Sequence, residues 1–397
     1  MTSVNKLAQQ YLAETVDVRR KIHAKPELSC EEYATTELIL SELARYGIEG
    51  ERLPGMSTGA VAVIRGAKPG KTVGFRADID ALPLTEDTGL PFASQNQGFA
   101  HACGHDIHTS ALLLAARVLN DLKDTLCGNV RLIFQPAEEI MPGGALKMIE
   151  TGFMGQEPKC DSIVGVHVSP EFPAGSIGVI KGAANAATDS VFITVKGVGG
   201  HGAHPYRCVD PIVTSAYLLT QLQTILSREN PAMQPAVLTF GTIHGGTAMN
   251  VIPSQVEMTG TLRTFGEESR RRIWDAIRRV SKGSCEAMRA QVEVRINEGA
   301  PALINSGEVI DRIAAAAAKT IGSENVVWYE NASPGSDDFS RFLAFCPGAQ
   351  FRVGTGNNLP ESRIGLHNPR NIFDEKSIEV AAAVMAQYAL DFGCSEA

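Results

Sequence analysis

No stretch of this 397-residue chain stays apolar for the length of a membrane span. Residues 111–119 are interrupted by Arg117, and residues 380–386 are bounded by Glu379 and Gln387. A transmembrane helix is therefore excluded, and no membrane partner is expected. Long basic runs are missing too: none exceeds Arg270-Arg271-Arg272, and the formal charge is −8. A nucleic-acid binder carries a basic face, so that class is disfavoured, and the arginine triplet reads as a solvated helical face. The eight cysteines form no CxxC pair and keep no regular spacing. Residues 1–6 run into an amphipathic pattern without the apolar core of a secretory signal. These absences together lead to the expectation of a cytoplasmic protein with reduced thiols. Repeats and low-complexity tracts are absent as well.

What is present has the balance of a globular protein, with 44% hydrophobic and 20% charged residues. The length suggests two domains. Apolar spacing predicts two helices over the first 45 or so residues, broken at Pro26. Strands over 59–64, 72–79, 129–134 and 162–168 then alternate with helices over 108–122 and 144–151. Short apolar strands separated by helices imply an α/β unit with a mostly parallel mixed sheet. From about Ala186 the order becomes strand 190–197, helix 211–226, strands 236–243 and 255–263, helix 267–288, strand 291–297. That is the split βαβ arrangement of a small α+β sandwich. The first style returns with helices over 307–319, 337–344 and 375–391 and a strand over 349–353. The economical division is one domain over 1–185 and 300–397, with a second inserted over 186–299.

The densest polar segment is His101-Ala102-Cys103-Gly104-His105-Asp106-Ile107-His108-Thr109. Three histidines, a cysteine and an aspartate share one short loop, in a chain with nine histidines. Cys103 and His105 can bind one metal ion or help bridge two; the plainer alternative is a polar cap on the next helix. His101 and His108 are weaker candidates for supporting roles. Glu138 and Glu139 follow a buried strand, at the end where open α/β sheets bind ligands. If Glu139 is a ligand, Glu138 is the neighbour placed to deprotonate a water; otherwise the pair is the acidic first turn of a helix. His167 and His367 complete five candidates, whose sulfur, nitrogen and oxygen donors suit Zn, Mn, Co or Ni better than Mg or Ca. Five protein ligands are too many for one open catalytic ion and suit two.

At these residues the chain resembles the aminoacylase family of di-metal peptidases, in particular the branch of hippurate hydrolases, N-acyl-amino-acid amidohydrolases and auxin-conjugate hydrolases. The matching motifs run from Arg19-Arg20-Lys21-Ile22-His23-Ala24-Lys25-Pro26-Glu27-Leu28 through Phe75-Arg76-Ala77-Asp78-Ile79-Asp80-Ala81-Leu82-Pro83 and the 101–109 segment. They continue through 134–139, 246–253, 335–339 and Leu366-His367. The resemblance implies a zinc-peptidase-like catalytic domain with an inserted lid that dimerises, hence a homodimer. It implies two divalent transition-metal ions held by Cys103 as a bridging thiolate with His105, Glu139, His167 and His367. Glu138 falls at the general-base position, and Asp78 at a place supporting the ligands from behind. On the lid, His201 matches a histidine that reaches a partner subunit's site and steadies an oxyanion, while Tyr206 stands where relatives often carry a further histidine. Asn250 and Arg263 match positions that hold a substrate carboxylate; read alone, they are a turn residue and a strand-surface arginine. Asp337 replaces a more usual glutamate. The implied activity is hydrolysis of N-acyl or N-aroyl amino acids, with a dipeptidase or carboxypeptidase as the nearest rival and a non-catalytic ligand binder as the remote one.

Overall fold

The structure, a computed structural model, describes residues 3–395. It separates into two compact units: Met1–Ala184 with Ile304–Asn331 and Asp338–Ala397, and Asn185–Leu303 with Ala332–Asp337. In chain order the first unit begins with α1 (Ser3–Ala24), α2 (Tyr33–Arg45), β1 (Gly50–Glu51), β2 (Ala60–Arg65) and β3 (Lys68–Asp78). It continues with α3 (His105–Asp121), β4 (Cys127–Gln135), α4 (Gly144–Glu150), β5 (Ser162–Pro173), β6 (Ile177–Val179) and β7 (Gly182–Asn185). The insertion holds β8 (Ala187–Lys196), β9 (Gly200–His201), α5 (Pro211–Thr224), β10 (Ala236–His244), β11 (Val251–Ile252), β12 (Gln255–Thr264), α6 (Glu267–Ala287) and β13 (Gln291–Glu298). Then follow β14 (Leu303–Asn305), α7 (Gly307–Ile321), β15 (Val326–Trp328), β16 (Gly348–Gly356) and α8 (Lys376–Gly393).

The first unit is built on an eight-stranded mixed sheet in the order β1-β2-β4-β3-β5-β16-β6-β15. Its centre, β4-β3-β5-β16, is parallel. These strands are mostly apolar because both faces are covered, with single polar residues such as Arg76 and Arg131 among the apolar ones. Alternation sends Phe75 into the cluster with Leu112, Val384 and Met385 of α3 and α8, and Arg76 to the opposite face beside Phe339. Each such fully buried large apolar side chain is worth about 1.5–3 kcal/mol. Parallel pairing brings the C-terminal ends of β3 and β4 together, so Asp78 pairs with Gln135 and the 136–139 loop begins beside it.

The inserted unit carries an antiparallel sheet in the order β10-β12-β8-β13, the order that split βαβ connections produce. Val191, Ile193 and Val195 alternate inward from β8 against Leu218 and Leu222 of α5 and Ile273 and Ile277 of α6. Asp210 caps α5, accepting from the amides of Ile212 at 2.9 Å and Val213 at 3.2 Å, with Pro211 at the first helical position.

Four details depart from the sequence reading. Cys127 and Cys394 form a disulfide between the start of β4 and the end of α8, 267 residues apart, so not every thiol is reduced. Spacing carries no information about such a pairing. Arg270 is not part of a solvated face: it is fully buried and grips both Asp189 oxygens, while Arg271 points outward. Consecutive helical residues lie about 100° apart, so a triplet cannot share one face. The helix expected over 337–344 is a 3₁₀ segment, Asp338–Ala344, whose threefold repeat aligns Phe339 and Phe342 into the core. The helix expected from 108 begins at His105, and the one expected to 226 passes into a π turn at Ile225–Glu229. Among the described residues no helix is long and apolar enough to cross a membrane.

Candidate metal centre

Gly104 makes the geometry of the 103–105 segment possible. Its φ is +81°, and a Cβ there would lie 2.6 Å from Val168. Only glycine takes that left-handed turn against β5 without strain. The turn places Cys103 just before α3 and His105 in its first residue, both buried. The polar side-chain cap that was the plainer alternative is not formed: Gly104 is the cap residue, and Thr109 Oγ1 donates to the Asp78 carbonyl at 3.0 Å.

The histidine tautomers follow from their partners. His105 Nδ1 meets the Asp80 carbonyl at 2.9 Å, and a carbonyl only accepts, so Nδ1 carries the proton and Nε2 keeps its lone pair. His167 Nδ1 meets the Val168 carbonyl at 2.9 Å, with the same consequence; its Nε2 lies 3.7 Å from Cys103 Sγ. His105 Nε2 and Glu139 Oε1 are buried without hydrogen-bond partners, 3.8 Å apart. Glu139 Oε1 is 3.4 Å from His367 Nε2. Ligand atoms lie within 4.8 Å of one another in Cys103–His105–His167, in Cys103–Glu139–His367 and in His105–Glu138–Glu139. Thus the five ligand candidates and Glu138 form one overlapping cluster. Buried polar atoms left orphaned are costly, and here they are lone pairs of metal-ligating type, so the donor set fits divalent transition metals.

The electrostatics point the same way. Burial, then the Glu139 charge, push the Cys103 thiol well above its ordinary range. Burial opposes a proton on His105, but the Asp78 charge and the Asp80 hydrogen bond outweigh it and lift the imidazole well above its ordinary range. Both groups call for a positive charge where their free atoms converge.

His108 is not free to join them. The Val168 amide donates to its Nε2 at 2.8 Å, and its Nδ1 donates to Asp78 Oδ1 at 2.5 Å. Asp78 also accepts from Arg76 Nη1 at 2.6 Å, and its Oδ2 lies 3.6 Å from His105 Nε2. Burial would raise the Asp78 carboxyl, but Arg76, His105 and His108 hold it well below the carboxylate range. His101 is buried with both ring nitrogens unpartnered, and burial drives it down to about 4, so it stays neutral. His367 stands at φ +61°, its amide donating to the Ala102 carbonyl at 2.9 Å, which stitches its loop to the 101–105 segment.

Several supporting residues escaped the sequence reading. Asp80 takes His105 on its carbonyl, and its Oδ2 accepts from the Glu139 amide at 3.0 Å and Ser29 Oγ at 2.6 Å. Alternate residues of an extended segment point the same way, and that spacing in Asp78-Ile79-Asp80, at the end of β3, is the available signal. Asp106 forms an ion pair with Arg19 at 2.7 Å and accepts from His23 at 2.8 Å, fastening α3 to α1. Glu32 accepts from the Ala137 amide at 2.7 Å; an acid just ahead of a helix gives no hint of that.

On the inserted unit, β9 pairs with β11, setting His201 opposite Val251 and so beside Asn250, whose carbonyl accepts from Gly202 at 2.8 Å. His201 is exposed, its Nδ1 accepting from the Ala203 amide at 3.0 Å, with the His204 ring 5.5 Å away. Arg263 lies on β12 and donates to Ser336 at 3.2 Å; burial lowers its affinity for its proton. Asp337 is buried.

Comparison with known proteins places this geometry. The model of peptidase family M20/M25/M40 matches residues 74–391. Thermostable carboxypeptidase 1 of Saccharolobus solfataricus is 40% identical over 379 residues, 95% of each chain. N-acetylcysteine deacetylase of Bacillus subtilis is 39% identical over 375 residues, 94% of this chain and 96% of its own. The crystal structure of a dinuclear metal-binding peptidase of the M20 family from Bacillus subtilis superposes with a TM-score of 0.84. It is 35% identical over 96% of this chain and 98% of that one.

Proposed function

Because the chain belongs to peptidase family M20/M25/M40, whose members here are metal-dependent hydrolases acting on amides, we propose that it hydrolyses N-acyl or N-aroyl amino acids to a carboxylic acid and an amino acid. The observation that carries this is the convergence of Cys103, His105, Glu139, His167 and His367 on one cluster with Glu138 beside it. We infer that those five would hold two divalent ions of the Zn, Mn, Co or Ni type. Bound there, such ions would supply Lewis acidity to the scissile carbonyl and to the attacking water. Glu138 takes that water's proton and returns it to the leaving nitrogen. Asp80 and Asp78 hold the His105 and Arg76 sides of the cluster through the contacts above. To His201 we assign a hydrogen bond to the developing oxyanion, and to Asn250 and Arg263 the free carboxylate of the amino-acid half.

The homodimer belongs to the same proposal. On the inserted unit Ile212, Val213 and Tyr217 of α5 are exposed, as are Val237 and Ile243 of the edge strand β10. An apolar helix face and an open strand edge suit association with a second copy. The carboxypeptidase relative supports a second reading with the same chemistry, in which the acyl half is a peptide. A panel of N-acetyl, N-benzoyl and dipeptide substrates, run on apoprotein reloaded with Zn, Mn, Co or Ni, separates the two. Higher kcat/KM on N-acyl amino acids is the expected result; preference for dipeptides overturns it in favour of the peptidase reading.

A further inference from the structure

The 136–139 loop holds the proposed general base in an unusual backbone. Ala137 has φ +55°, a left-handed conformation that a residue with a Cβ adopts at a cost. Something must hold it there, and three hydrogen bonds do. The Ala137 carbonyl accepts from the Gly144 amide at 2.8 Å, and a side chain at Gly144 would collide with the Pro136 carbonyl. The Glu139 amide donates to Asp80 at 3.0 Å. The Ala137 amide donates to Glu32 Oε1 at 2.7 Å. Glu138 therefore sits between two backbone amides, each gripped by a different carboxyl group.

Glu32 is committed to that grip. It stands at the N-cap of α2, where an acid normally accepts from the first-turn amides. Those amides are taken instead by Glu27, whose oxygens accept from Ala34 at 3.0 Å and Thr35 at 2.8 Å. The Glu32 side chain makes no cap and is fully buried, turned inward to the catalytic loop. Its second oxygen, Oε2, is buried without a hydrogen-bond partner. A fully ionised carboxylate in that setting would be costly. Burial, reinforced by the Asp80 charge, lifts the carboxyl to about 7. A neutral acid pays less for the unpartnered oxygen and still accepts the Ala137 amide on the other.

We propose that Glu32 is a positioning residue for catalysis, fixing the left-handed turn at Ala137 and through it the aim of Glu138. The proposal rests on the general-base reading of Glu138, but concerns a residue remote from the metal ligands in sequence, acting on backbone alone. It predicts that the loop needs an acceptor at this place and not a negative charge.

Three variants test it: Glu32→Ala, Glu32→Met, which keeps the volume without an acceptor, and Glu32→Gln, which keeps the amide-accepting oxygen. Hydrogen–deuterium exchange of the peptide covering 136–139 reads the loop directly, beside kcat, KM and bound metal. Glu32→Met, and Glu32→Ala if it folds, should exchange at least about tenfold faster in this peptide and lose at least about tenfold in kcat. KM should stay within about twofold and metal content unchanged. Glu32→Gln should recover wild-type exchange and kcat to within about threefold. Wild-type exchange and kcat in Glu32→Met overturn the proposal, as does a Glu32→Gln protein as impaired as Glu32→Met, or a kcat loss that tracks loss of metal. If wild-type protein turns over none of the N-acyl amino acids, the functional reading fails, and exchange of the loop alone decides the role of Glu32.

Discussion

Replacing Arg76 by alanine should cost the first unit about 4 kcal/mol. Arg76 is fully buried and its guanidinium divides three ways: Nε to Gln135 Oε1 at 2.8 Å, Nη1 to Asp78 at 2.6 Å, Nη2 to Asp338 at 3.0 Å. Asp78 and Asp338 are themselves buried. Removing one partner of a buried pair costs about 3–5 kcal/mol, because the abandoned charge keeps its desolvation penalty. Two carboxylates are abandoned here, but the sum does not double. Asp338 keeps the Gln135 amide at 2.7 Å and the Ala145 amide at 2.9 Å, and Asp78 keeps His108 and can take up a proton. At about 2–4 °C per kcal/mol, Tm should fall by about 10 °C. Arg76→Lys should recover part of this, supplying a point charge but not the three-way fork. Scanning calorimetry of wild type, Arg76→Ala and Arg76→Lys measures both steps. A Tm within about 2 °C of wild type in Arg76→Ala would refute the claim that this cation holds the rear of the site together.

Glu138→Ala should lose at least about 100-fold in kcat while binding metal as wild type does; substantial turnover in the fully metallated variant would remove its role as base. Cys103→Ser should hold fewer than two ions per chain by elemental mass spectrometry, because a hydroxyl is a far weaker ligand than a thiolate, and unchanged stoichiometry would argue against a bridging sulfur. His201→Ala and Glu138→Ala proteins, each inactive alone, should regain part of the activity when mixed and allowed to exchange subunits, if His201 serves the partner chain. No recovery despite demonstrated exchange would confine His201 to its own chain. Glu32 binds more protons folded than unfolded between about 4.5 and 7, so its contribution to stability is largest below that window and is lost as pH rises through it. The Tm of Glu32→Gln relative to wild type should therefore rise between pH 5 and pH 8, and a flat difference would count against a raised carboxyl.

Much of the architecture was legible because the patterns that reveal it are local. The short apolar stretches Leu132–Phe134 of β4 and Ile163–Val166 of β5 announce strands covered on both faces, and the alternation of Val191, Ile193 and Val195 announces a half-covered one. Where the reading failed, the deciding partner lay far off. Arg270 is drawn inside by Asp189, 81 residues away, and Cys127 pairs across 267 residues. The first turn of α3 reads as loop because His105 and Asp106 interrupt the apolar period.

The candidate site divides along the same line. Cys103, His105, Glu138 and Glu139 could be picked out because few other chemistries put those residue types side by side, and His167 and His367 drew attention as histidines ending apolar segments. What holds them is a different kind of residue. Asp80, Arg76 and Glu32 act on a ring nitrogen, a carboxylate and a backbone amide, and each is a common residue whose task is set by what folding brings to it. A ligand set is a statement about chemistry and shows in composition; its support is a statement about distance and shows only in three dimensions. The parallel sheet is what joins the two. By bringing Asp78 level with Gln135 on adjacent strands, it delivers the His105 and Glu139 sides of the cluster to one crevice, and the buried carboxyls behind them then need no motif of their own.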